Sequence, residues 1–113
     1  MSVKTSEIKI QVELDENKLP ENIYWQATDS GTDGKTPCRS MLLSMWDHVD
    51  ESTLRIDLWT KDMTVDDMKK FFYETFVTMA DTYERACMDD ENAKRIRTFA
   101  KEFGQHAEVT KKS

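Results

Sequence analysis

The 113-residue chain is short of the residues that most often carry chemistry: two cysteines, two histidines, three glycines and two prolines. So few glycines, none in a G-x-G-x-x-G or P-loop spacing, make a phosphate-cradling loop unexpected. Cys38 and Cys87 have no paired spacing, and with His48 and His106 they are scattered singly rather than in the close pairs of a zinc site. Two lone thiols suit a reducing compartment. Positive charge is also in deficit, with 16 Lys and Arg against 22 Asp and Glu and a net charge of −6. That sign repels phosphates, so neither nucleic acid nor an anionic membrane surface is an expected partner. Apolar runs stop at three residues, as at Met41-Leu42-Leu43, and give no membrane-spanning helix. The opening MSVKTSEIKIQ lacks the apolar stretch of a signal peptide, and the expected location is cytoplasmic.

What is present is enough for a folded chain: 38% hydrophobic residues, with three Trp, five Phe and three Tyr. One domain over residues 1–113 is expected, because two would leave neither a workable core. Ile8, Ile10, Val12 and Leu14 alternate with Lys9, Gln11 and Glu13, the period of a half-buried strand. Ile23, Trp25 and Ala27 alternate again across residues 22–28. Asp29-Ser30-Gly31-Thr32-Asp33-Gly34 reads as a turn; the residues after it lack the acid that a calcium loop needs near its twelfth position. Thr36-Pro37 resembles a helix start, but residues 40–48 read better as a strand. A short polar turn at Asp50-Glu51-Ser52 joins that strand to Leu54, Ile56 and Leu58 as a hairpin.

At Thr64 the period changes. Thr64 with Asp67 resembles a capping box, and Val65, Met68, Phe72, Phe76, Met79, Tyr83 and Ala86 recur at helical spacing over about 65–87. A second helix over about 90–103 carries Ala93, Ile96, Phe99, Ala100 and Phe103 inward. Gly104 is expected to cap it, and the tail 105–113 to fray. The expected fold is α+β: a small antiparallel sheet of about four strands in a meander over 6–60, with two C-terminal helices packed on one face.

The chemistry-bearing residues have plain structural readings. No Ser or Cys stands in a recognisable nucleophile turn. Asp47 and His48, as strand neighbours, would point to opposite faces. Asp62, Asp66 and Asp67 suit a helix start, and Asp81, Glu84, Arg85, Lys94, Arg95 and Arg97 an exposed, salt-laced surface. The methionines 41, 45, 63, 68, 79 and 88 read first as core filling, with an adaptable binding face as the alternative. No catalytic, cofactor-binding or metal-ligating residue is assigned. Trp59 is out of phase with Leu54, Ile56 and Leu58, so it points the other way, beside Arg55 and Asp57. An aromatic ring next to an Arg and an Asp has the composition of a protein-contact patch. Arg55, Asp57 and Trp59 are therefore the candidate partner-binding residues.

Three segments carry a family resemblance. They are Lys4-Thr5-Ser6-Glu7-Ile8-Lys9-Ile10 running on to Asn17, Met41-Leu42-Leu43-Ser44-Met45-Trp46-Asp47, and Thr53-Leu54-Arg55-Ile56-Asp57-Leu58-Trp59-Thr60-Lys61-Asp62-Met63 leading to Met79-Ala80-Asp81-Thr82 and Glu84-Arg85-Ala86. Together, over roughly residues 4–103, the chain resembles the gliding motility-associated GldC family of Bacteroidetes bacteria. The resemblance implies a small, acidic, cytoplasmic accessory protein of the machinery for movement over surfaces, with no known enzymatic activity or cofactor. It suggests action by protein–protein interaction with a motility or cell-envelope component. An alternative class is a carrier or sensor of an apolar ligand held between sheet and long helix by Phe71, Phe72, Phe76, Met45, Met68 and Met79. An enzyme ranks last, since it would need a cleft with convergent polar groups around His48 or Cys38. The edge strand Ser6–Leu14 leaves a homodimer open in every case.

Overall fold

Alternating β-branched and polar residues build the first half of the chain, and helical spacing builds the second. The computed structural model describes residues 3–28 and 34–111. Its elements are β1 (Ile8–Leu14), β2 (Pro20–Ala27), β3 (Thr36–Cys38), β4 (Ser40–Asp47), β5 (Ser52–Trp59), α1 (Val65–Cys87) and α2 (Asp90–His106). The class is α+β, strands first and helices second. Residues 29–33, most of the loop weighed as a calcium site, lie outside the described residues. The chain divides into two compact units, one ending at Met63 and one beginning at Thr64.

In the first unit the strands pair as two antiparallel sheets, β1-β2-β3 and β4-β5, where the alternation suggested one four-stranded meander. The short β3 is the strand that alternation missed. Pro37 lacks an N–H, which keeps β3 to three residues paired with Ile23, Tyr24 and Trp25 of β2. The chain then crosses at Arg39 into the second sheet. Residues 40–47 take the strand conformation preferred over helix. Pro20 opens β2 opposite Leu14, and the register shift beside Glu13 leaves Glu21 as the extra residue of a bulge.

Burial in this unit centres on Ile23, 1% exposed, which lies between Val12 and Cys38. Away from that centre the apolar face of β1 opens up: Ile8 is 75% exposed and Leu14 54%.

The second unit is a helical hairpin. Thr64 and Asp67 form the full capping box, each side chain accepting from the other's backbone N–H. Met88, left-handed at φ 51°, ends α1, and Asp89 starts α2 by accepting from the Asn92 amide at 3.2 Å. The Tyr83 hydroxyl donates to the same Asp89 carboxylate at 2.8 Å and ties the turn to α1. Small residues line the helix contact: Ala80, Ala93, Ala100 and Gly104 are buried.

Gly104 does not cap α2. The left-handed residue is Glu108, at φ 62°, and the helix continues to His106. The Val109 amide donates to the Gly104 carbonyl at 2.8 Å and the Glu108 amide to that of Gln105 at 3.2 Å, a Schellman ending. Glycine is needed at 104 for room, because a β-carbon there would stand 2.6 Å from Tyr73 Cε1. The same hydrogen bonds order residues 107–110, where fraying was expected.

Candidate partner-binding surface

The register of the β4–β5 ribbon places the candidate residues. Ser40 pairs with Trp59, Leu42 with Asp57, Ser44 with Arg55 and Trp46 with Thr53, and partners in an antiparallel pair share a face. Arg55, Asp57 and Trp59 therefore point the same way along β5. Arg55 Nη2 donates to Asp57 Oδ1 at 3.2 Å, with both side chains about half exposed. Trp59 is 54% exposed. The opposite face carries Met41, Leu43, Met45, Leu54, Ile56 and Leu58, of which Leu54 is 55% exposed.

Trp59 also borders a cleft of about 290 Å³ lined by Leu19, Pro20, Asp57, Leu58, Trp59 and Lys61. Backbone hydrogen bonds fix it: the Lys61 amide donates to the Pro20 carbonyl at 3.1 Å and the Thr60 amide to that of Arg39 at 2.8 Å. These join the end of β5 to the start of β2 and to the crossover between sheets. Thr60, 2% exposed, satisfies its hydroxyl by donating to Asp62, which also receives Arg39 Nη1 at 2.9 Å. The Thr60 hydroxyl, helped by the Arg39 charge, holds the Asp62 carboxyl below the usual carboxylate range.

The rim is charged, and its one lysine is shared between two carboxylates. Lys61 Nζ lies 3.2 Å from Asp15 Oδ2 and 3.5 Å from Glu21 Oε1, and the Asp15 hydrogen bond raises its pKa first. Asp15 also closes the β1–β2 turn, accepting from the Asn17 amide at 2.8 Å and the Leu19 amide at 3.0 Å. The Leu19 amide, followed by Lys61, holds its carboxyl low. This network stiffens the turn that presents Leu19, whose side chain is half exposed. No group here is poised for proton transfer or nucleophilic attack. The arrangement suits an apolar side chain entering between Trp59 and Leu19, with ion pairs around it.

The sequence reading missed two parts of this surface. Trp46, 65% exposed, shares the face of Trp59 from about 20 Å away along the ribbon. The hairpin register alone would have revealed it. Leu19 and Pro20 come from a distant turn, and no local pattern announces them.

Other residues singled out by sequence lie elsewhere. Asp47 accepts from the Val49 and Asp50 amides of the hairpin turn, at 2.9 and 3.3 Å, and His48 is an exposed residue of that turn. Cys38 is half-buried on β3, where burial pushes its thiol up, while Cys87 is exposed at the end of α1. Met45, Met79 and Met88 are 44%, 54% and 89% exposed, so these three do not fill a core. Among the described residues, no three His, Cys, Asp or Glu side chains gather as a metal site, and no helix is long and apolar enough to cross a membrane.

Residues 20–109 match a family model described as gliding motility-associated protein GldC-like. The match begins at β2 and includes Arg55, Asp57, Trp59 and both helices; the opening segment through Asn17 lies outside it. No curated protein and no solved structure matches the chain.

Proposed function

Because the chain belongs to the gliding motility-associated GldC-like family, we propose that it is a non-enzymatic, cytoplasmic accessory protein that binds a protein of the motility or cell-envelope machinery. It does so through the Trp59 face of the β4–β5 ribbon. The observation that carries this reading is Trp59 itself, 54% exposed at the mouth of an apolar cleft. Tryptophan and arginine dominate interface hot spots, because a large ring buried in a pocket gains most from excluding water. Arg55 and Asp57 supply a paired, orienting rim, and the net charge of −6 favours approach by a basic partner.

The test replaces Trp59 with Ala at the native locus of a gliding bacterium and follows both spreading and crosslinked partners by mass spectrometry. The expected result is loss of spreading and of one crosslinked motility or envelope protein, with circular dichroism and melting of the purified variant unchanged. If the variant spreads as the parent does while a deletion strain cannot, the Trp59 face is not the contact.

A further inference from the structure

The helical hairpin carries an aromatic cluster that is open on one side. Phe76 contacts Phe99 and Phe103 edge-on, at ring-centre distances of 5.3 and 5.2 Å, and Phe72 joins at 6.2 Å. Phe99 is nevertheless 52% exposed, Phe72 36% and Met79 54%. Exposed contiguous apolar surface of this kind marks an interaction site. The charges on α2 say what covers it.

Inside the hairpin the charges are satisfied: Arg97 reaches Asp81 at 2.8 Å and Glu84 at 2.6 Å. On the flank beside Phe99 no such close ion pair forms among the described residues. Arg95 and Glu102, about two turns apart on α2, form no close ion pair among the described residues; Arg95 reaches Asn92 at 3.4 Å and its charge also acts on Asp89 at the start of the helix. These residues bracket Phe99 on the outer side of the helix, with Glu91 before and His106 after. The pattern is complementary to itself. A two-fold axis at Thr98–Phe99 lies midway between Arg95 and Glu102, and also midway between Glu91 and His106. Two antiparallel copies of α2 about that axis set each Arg95 against the partner's Glu102 and each Glu91 against the partner's His106, with the Phe99 rings beside the axis. A parallel pairing would instead set each charge against its own kind.

We propose that the Phe99 flank of α2 is the seam of an antiparallel homodimer, sealed by reciprocal Arg95–Glu102 pairs. The occupant is a second copy because an isologous contact requires a surface complementary to itself, and the order of charge along α2 has that property. The contact involves one helix from each copy, with the half-exposed Phe99 at its centre. It falls at the small end of specific interfaces, so the expected Kd is on the order of micromolar. The proposal does not depend on the Trp59 reading, which concerns the other unit of the chain.

Sedimentation velocity on the full chain, from about 1 to about 500 μM, tests it. The parent should pass from monomer to dimer in that range. Arg95→Glu and Glu102→Arg should each weaken association by about tenfold or more, since each sets like charges opposite one another twice. The double reversal Arg95→Glu/Glu102→Arg should return Kd to within about threefold of the parent, because the pairs re-form with signs exchanged. Both sites are exposed, so the variants should keep the parent's helicity and melting temperature, which circular dichroism checks. A chain monomeric at the highest concentration overturns the proposal. So does a dimer that ignores the single reversals or is not rescued by the double.

Discussion

Gly104 offers the sharpest test of how the helical hairpin is packed. An added β-carbon at this position would lie 2.6 Å from Tyr73 Cε1, 2.8 Å from Tyr73 Cδ1 and 3.1 Å from Thr110 Oγ1. Ordinary carbon contacts sit near 3.5–4.0 Å, so Gly104→Ala must push the Tyr73 ring, or α1 with it, by roughly 1 Å. Overpacking of that size costs about 1–3 kcal/mol. Alanine within a helix recovers about 1 kcal/mol over glycine. The net expectation is a loss of about 1 kcal/mol, which for a chain of this length lowers Tm by roughly 3–6 °C. Urea denaturation followed by far-ultraviolet circular dichroism reads this directly.

Tyr73 is the nearer obstacle and Thr110 Oγ1, at 3.1 Å, the lesser one, so a second background isolates the share of the ring. In a Tyr73→Ala chain the obstructing ring is gone and only the Thr110 Oγ1 contact remains, so Gly104→Ala should then stabilise by about 0.5 kcal/mol, helix propensity less the adjustment of Thr110. The effect changes sign, and the coupling between the two sites should be about 1.5 kcal/mol. If Gly104→Ala costs the same in both backgrounds, close approach to Tyr73 is not why glycine stands there.

Three further outcomes are expected. Glu108→Gly should raise stability by about 0.5–1 kcal/mol in the same denaturation assay, because Glu108 holds a left-handed φ of 62° that glycine adopts without strain; a loss would mean the Schellman ending is not formed. Asp15, Asp62 and Asp89 are each held below their ordinary value, chiefly by the Leu19 amide, the Thr60 hydroxyl and the Asn92 side chain respectively. The unfolded chain thus binds protons that the folded one refuses, so stability should be flat above about pH 5 and fall below about pH 4. Asp15→Asn should flatten that fall, and an unchanged urea midpoint at acid pH would refute the assignment. Cys87 is exposed whereas burial raises the Cys38 thiol, so a thiol-specific disulfide reagent at mild alkaline pH should label one site fast and one slowly. The fast phase should vanish in Cys87→Ser and persist in Cys38→Ser.

Most of the fold could be read where signals are local. Period-two alternation found β1, β2 and β5, and the change of period at Thr64 found both helices. The capping box, in which the Thr64 and Asp67 side chains each accept from the other's amide, formed as its spacing suggested. The readings that failed needed non-local information. Gly104 looks like a cap because glycine commonly ends helices, yet its role is set by Tyr73, a residue on the other helix. Nothing near residue 108 marks Glu108 as left-handed. The split into two sheets follows from Pro37 and the crossover at Arg39, where pairing partners are chosen by tertiary structure.

The candidate partner-binding surface divides along the same line. Trp59 was recognisable because a strand has a strict period of two, and a tryptophan out of phase must face away from its apolar neighbours. The phase of Trp59 along β5 fixes a direction and no depth. Depth comes from Leu19 and Pro20, brought to Trp59 by the Lys61–Pro20 backbone bond and by Asp15, whose carboxylate both shapes the β1–β2 turn and holds Lys61. A solvent-facing tryptophan on a two-stranded ribbon is an incidental exposure; the proposed function rests on the same ring standing at the mouth of a cleft whose far wall is held by hydrogen bonds, which lowers the ordering cost of binding. Under the proposed function, Asp15 is therefore the residue that gives the exposed ring a held cleft wall. Its replacement should loosen Leu19 and weaken partner capture while Trp59 itself stays in place.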